Sequence, residues 1–495
     1  MNERDIQPIV EDIDAIHREF AQIVIGQMRG TPYALTIEDV LESRPGPLRS
    51  DSVSLLRRSI ESAQDPADAL RLERIFFGCV DLALEKETCA LADMLNFYFQ
   101  HGRMHVGSEK VPTPEVVSWL QSQTDFDKRE EMRKENTIYL KGILNPILTG
   151  MLELTVRVTT ERFGFDNYAR FSEAKKRVSF QEQEALCERF LKDTDKIYTE
   201  RIGPWVEQEI GRSIEGLSRY HALYLMRIRK FDAHFPLVKL RCLVDKTFLG
   251  LVFDLASRKD IVLDVSTDGS GSPDGLCVGV EIPGEVHVQM RPEGGLIDVE
   301  TLLHETGHAF FLSNFDPKLP VEYRRLYGSA ALDEAFAFLF MDLVGNPSWL
   351  TKVAELPARD ADELAELVLT KRLCLIRRHM GKFLAEKELH EKGDIKDSGP
   401  YCRHLKRATG FEYEPQGYLI DMQPDFYSLD YVTAWAGAHA LQVWLEEQFG
   451  GEWFAKPGAG EFLRDIAAWG RREPLQEVVR HFCGTIPSLP TPSGD

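Results

Sequence analysis

Residues 300 to 315, "ETLLHETGHAFFLSNF", place His304 and His308 four apart, with Glu305 directly after the first. On an α-helix residues four apart share a face, so both imidazoles reach one point. Glu305, rotated by about 100°, leans over that point without ligating it. This is the arrangement of two metal ligands and a base that takes a proton from an activated water. Gly307 leaves the turn beside the metal without side-chain bulk. A glycine in mid-helix costs roughly 1 kcal/mol against alanine, so its presence predicts a close approach at that turn. Composition alone produces an HExxH in a chain like this at a rate of roughly a few per cent, so the remaining donors have to decide.

A catalytic zinc takes three protein ligands and keeps a fourth position open. A third histidine at metzincin spacing would fall at 314, but Asn314 stands there and Phe311 occupies that pattern's glycine position, which excludes it. The alternative is a glutamate from a following helix, and two candidates follow: Glu322 in "LPVEYRRL" and Glu334 in "GSAALDEAFAFLFMDL". Glu322 lies among charges after a proline turn and reads as solvated. Glu334 sits in a strongly apolar helix, where an unpaired carboxylate costs several kcal/mol. Coordination removes that cost, so Glu334 is the better third ligand. Asp333 and Asp342, in the same stretch, are candidates for orienting a histidine, with a helix-surface role equally open to each.

Hydrolysis of a peptide also needs a donor for the oxyanion formed when water attacks the carbonyl. Tyr427 and Tyr431 in "MQPDFYSLDYVTAWAGAHAL" share a helical face, and a tyrosine hydroxyl donates without titrating near neutral pH. Taken alone, such a pair is also an ordinary feature of a core. His287, His379, His439 and Cys277 read as structural.

The elements that must position these residues are mostly helices. Apolar residues recur at three and four spacing to about residue 240. Near 260 the texture changes: "DIVLDV", "GLCVGVEI" and "EVHVQM" are short and β-branched, with "STDGSGSPDG" and "PGE" between them, and they predict a small antiparallel sheet of about three strands. "RPEGGLID" breaks that pattern and starts the histidine helix. The rest reads as helical, with a loop-like interval over "GDIKDSGPYCRHLKRATGFEYEPQG". An edge of the sheet, lying before the metal helix, would hold an extended peptide by main-chain hydrogen bonds.

Composition narrows the function classes. A formal net charge of −20 argues against a nucleic-acid partner. No run of about 18 apolar residues marks a membrane span, and the charged amino terminus lacks the order of a secretory signal, so a cytoplasmic location is expected. Eight scattered cysteines without a CxxC pair predict reduced thiols. Nothing in the sequence speaks to oligomeric state.

"HETGH", then "LDEAFAFL", then "PDFYSLDYVTAWAG" resemble the thimet oligopeptidase and oligoendopeptidase F family of zinc peptidases. The resemblance implies zinc, one per chain, on His304, His308 and Glu334, with Glu305 as base and Tyr427 and Tyr431 on family tyrosines. Three positions depart from the pattern: Asp425 and Phe311 replace family histidines, and Thr433 replaces a tyrosine. The implied fold is a mainly α, elongated zincin-like body with the small sheet beside the active-site helix and a deep channel admitting short unfolded peptides. A helical amino-terminal region, 1–205, would form one channel wall and residues 206–495 the catalytic region, with the boundary left open. The expected activity is endopeptidase cleavage of oligopeptides. The carboxypeptidase Taq-like family, which shares the HExGH helix, is the second resemblance, and a non-catalytic peptide-binding relative is a third reading.

Overall fold

Helical spacing dominates the sequence, and the computed structural model, which describes residues 3–30, 34–265 and 275–490, is mainly helical. The amino-terminal part contributes α1 (Glu3–Met28), the long α2 (Pro66–His101), α3 (Val116–Ser122) and α4 (Tyr168–Lys176). Helix α2 starts where the sequence says it should: the Asp65 carboxylate accepts from the Ala67 N–H, and Pro66 occupies the first turn, where no N–H is needed. Between α2 and α3 lies a hairpin that helical periodicity does not reveal. It pairs β1 (Arg103–Val106) with β2 (Glu109–Pro112) and buries Met104, Val106 and Val111. Runs of four residues are too short for alternation to announce a strand.

The sheet before the metal helix holds three strands, β3 (Ile261–Val265), β4 (Leu276–Glu281) and β5 (Glu285–Met290). It is mixed rather than purely antiparallel. The short connection after β4 folds β5 back beside it, and β3 adds to the free edge of β5 in the same direction, giving the order β3-β5-β4. Most of the expected turn "STDGSGSPDG" lies outside the described residues. Strand β4 is an edge, and Arg325 partly closes it by donating to the Gly279 and Val280 carbonyls at 3.0 and 2.6 Å.

The helices that follow include α5 (Leu296–Ser313), α6 (Ala331–Met341), α7 (Ala358–Lys392), α8 (Gly399–Thr409) and α9 (Tyr427–Phe449). Helix α8 lies inside the interval that sequence texture assigns to a loop. Its signals are Pro400 in the first turn, Tyr401, Leu405 and Ala408 buried on one face, and Gly410 in the left-handed conformation beyond its end. Helix α5 begins at Gly295, φ 107°, and is capped by the Asp232 carboxylate, which accepts from the Leu296 N–H at 3.1 Å. Helix α6 is buried on every side from Ala331 to Phe340, because it packs between α5 and α9. One continuous core runs from Ile6 to Val479.

Gly307 marks where α5 and α6 cross. A Cβ there would lie 2.9 Å from the Ala337 Cα and 3.0 Å from the Phe336 carbonyl oxygen, so backbone meets backbone. Gly307→Ala gains helix propensity but forces a methyl against groups that cannot rotate away. A net loss of about 1–3 kcal/mol is expected, read as a lower melting temperature. A stability equal to or above the parent would mean the helices separate without cost.

Candidate active site

Three elements meet at the histidine helix. His304 and His308 project from α5 with rings 4.8 Å apart, and Glu334 comes from the first turn of α6. Its Oε2 lies 3.4 Å from His304 Nε2 and 3.8 Å from His308 Nε2. The three donor atoms all fall within 4.8 Å of one another. Oε2 of Glu334 is buried and has no hydrogen-bond partner, whereas Oε1 accepts from the Tyr427 hydroxyl at 2.5 Å.

Electrostatics agree with a cation at this point. Burial pushes the Glu334 carboxyl up to about 8, against the lowering effect of the Tyr427 hydrogen bond. Burial, and then the neighbouring His308, holds His304 well below the usual histidine range. His308 is lowered to about 4 by burial and then by Arg471, while the Asp333 backbone carbonyl accepts from its ring. Both imidazoles are therefore neutral near neutral pH, which is the form that ligates a metal. A buried carboxylate oxygen without a partner beside two neutral imidazoles fits a divalent cation of the kind bound by nitrogen and oxygen donors.

Glu305 is buried and lies at the junction of two cavities. One, of about 610 Å³, is lined by His308, Glu334, Tyr427, Tyr431 and Cys277; the other, of about 370 Å³, reaches Val117 and Gln121 of α3. Gly275, His304 and Glu305 belong to both, so a chain passing from one lobe to the other crosses the carboxylate. Gly275, Leu276 and Cys277, at the start of edge strand β4, line the larger lobe.

The two tyrosines differ. Tyr427 is committed to Glu334, and burial followed by that carboxylate pushes its phenol far up. The Tyr431 ring stands against His379 at 4.7 Å with its hydroxyl beside the Gln423 side chain, and burial also raises its pKa. Both phenols stay protonated.

Other candidates lie elsewhere. Glu322 is not solvated: it is 1% exposed and ion-paired with Arg71 of α2, away from the histidines. The Asp333 carboxylate accepts three hydrogen bonds from Arg471, the shortest at 2.5 Å, and Asp342 pairs with Arg372 at 3.0 Å. Neither carboxylate therefore orients a histidine; the Asp333 backbone does that for His308. His287 bonds Glu285 at 2.8 Å, and His439 lies near Arg372. Phe311 is fully buried against Phe315 and Phe336, and the Thr433 hydroxyl donates to the Leu429 carbonyl. Sequence reasoning missed Arg471, Gln423, Tyr327 and Lys175, which line or brace the site. Arg471 lies 138 residues from Asp333, and no local pattern links them.

No family model and no curated protein matches the chain. A solved structure does: a protein from Bacillus anthracis str. Ames provisionally assigned as an oligoendopeptidase F. It superposes with a TM-score of 0.61 over 91% of this chain and 82% of the other, at 15% identity. The chain shares that fold. In this oligoendopeptidase-like body, no described helix is long and apolar enough to cross a membrane, and all eight cysteines are free.

Proposed function

We propose that this protein is a zinc-dependent endopeptidase that cleaves short unfolded oligopeptides. The observation that carries the reading is the buried, unpartnered Glu334 oxygen beside two neutral imidazoles. His304, His308 and Glu334 would hold the ion, which when bound supplies a Lewis acid for polarising the scissile carbonyl and acidifying the attacking water. Glu305 takes the proton from that water and hands it to the leaving amine. Tyr427 fixes the Glu334 carboxylate by its hydrogen bond, which leaves Tyr431 as the donor to the developing oxyanion. The peptide lies extended along the start of β4, where Arg325 does not close the edge. The two lobes on either side of Glu305 give room for residues before and after the scissile bond, which favours internal cuts over stepwise trimming. The amino-terminal region, taken as residues 1–205, supplies α3 to one wall. A cytoplasmic setting and peptide partners belong to the same reading.

Mass analysis of products from blocked and unblocked peptides tests the proposal. Internal cuts in blocked peptides, abolished by chelation and restored by zinc, are expected. Stepwise loss from free carboxyl termini would make the protein a carboxypeptidase, and zinc-independent binding without cleavage would make it a peptide-binding relative. Tyr431→Phe should lower kcat by about 10²- to 10³-fold with zinc content retained. An unchanged kcat would move the donor role to another group.

A further inference from the structure

The two residues that precede α9 are strained. Asp425 and Phe426 both occupy the left-handed region, with φ 60° and 51°, which non-glycine side chains disfavour. Such a pair persists only where its surroundings over-determine it. The Asp425 N–H donates to the Tyr168 hydroxyl at 2.7 Å, and the Asp425 carboxylate lies 3.0 Å from Lys175 Nζ and 3.6 Å from Lys176 Nζ. Phe426 is fully buried, with its ring near Phe180 and Phe383 and its N–H on the Glu386 carboxylate.

Lys176 continues the linkage. Its Nζ donates to Asp430 Oδ2 at 2.6 Å, and the Ser329 hydroxyl donates to the other oxygen of Asp430 at 2.6 Å. The Ser329 oxygen in turn accepts from the Ala331 N–H at 3.1 Å, in the turn that starts α6. A chain of polar contacts thus runs from the end of α4, through the first turn of α9, to the first turn of α6. Tyr427 and Glu334 stand on those two turns and bond each other. The side chains of Lys176 and Asp430 are 2% and 4% exposed. A buried ion pair of this kind is a poor device for stability, because desolvation offsets its attraction, so a geometric role accounts for it better.

We infer that Lys175 and Lys176, with Asp425 and Asp430, are positioning residues that clamp the first turn of α9 onto α6, setting Tyr427 against Glu334 and Tyr431 toward the cleft. The inference rests on the peptidase reading of the site. It gives the amino-terminal part of the chain a part in the chemistry beyond forming a wall.

The double variant Lys176→Met with Asp430→Asn removes both charges and leaves neither buried alone. Asp425→Asn removes the clamp's other carboxylate while keeping a residue type that tolerates the left-handed backbone. For both, the expected result is kcat lower by about tenfold to a hundredfold, with KM and zinc content close to the parent. Lys176→Arg, which keeps the charge, should recover most of the rate. Independently of turnover, fluorinated tyrosine at position 427 should give a single fluorine resonance in the metal-free parent and several in the double variant. An unchanged kcat with a single resonance in both variants overturns the clamp. So does a loss confined to KM. If the parent cleaves no peptide at all, the peptidase reading fails, and the fluorine signal still decides whether the clamp positions Tyr427.

Discussion

Glu305→Gln should keep zinc and bind peptide while losing turnover by about 10²- to 10⁴-fold, the span that general acid–base catalysis supplies. The carboxamide has nearly the same shape, so the packing around the buried side chain is preserved; what disappears is a group able to accept a proton. Among the described residues Glu305 is the one carboxylate that lines both lobes of the cleft, so no neighbour is placed to substitute for it. The measurement is kcat on a quenched peptide, paired with metal analysis and with peptide affinity. Binding should survive, because the lobes are unaltered. A variant that cleaves at the parent rate with its zinc in place would remove Glu305 from the reaction.

The second large effect is an inversion. Glu334→Gln should lower zinc affinity by several orders of magnitude, since one of three protein donors becomes a poor ligand. In the metal-free protein the same change should be stabilising above about pH 8, where the raised Glu334 carboxyl is ionised. The parent buries a carboxylate with one oxygen unpartnered, an arrangement that costs free energy until a cation arrives. A neutral amide of the same size avoids that cost and still accepts from Tyr427. Thermal melts above that pH should therefore rank the variant above the parent in chelator and below it in excess zinc. If the variant melts lower under both conditions, Glu334 serves the fold and not a metal.

How far these residues were legible depends on how local their signal is. His304, Glu305 and His308 lie within five positions, so helical periodicity alone predicts their convergence. Glu334 was legible because a charge inside an apolar run demands a partner. The same logic misjudged Glu322: charged neighbours suggested solvent, but its partner, Arg71, comes from a helix 251 residues earlier. Short β-branched runs between turn-formers announced β3, β4 and β5 but not their directions, since residue type says that a segment is extended and not which neighbour it pairs with. The departures from the oligopeptidase pattern also resolve only in three dimensions. Asp425 is engaged by lysines at the wall of the larger lobe, and Phe311 packs among other phenylalanines.

The contact at Gly307 has a mechanical consequence. The crossing is one residue from His308, and Ala337 is three residues from Glu334, so the pivot lies within about 5 Å of the donors along either helix axis. A relative tilt of about 3° would move them by only about 0.3 Å, while the far end of α5 at Leu296, eleven residues away, would swing by about 0.9 Å. The crossing and the three candidate donors nearly coincide, so a tilt about Gly307 would disturb their triangle least.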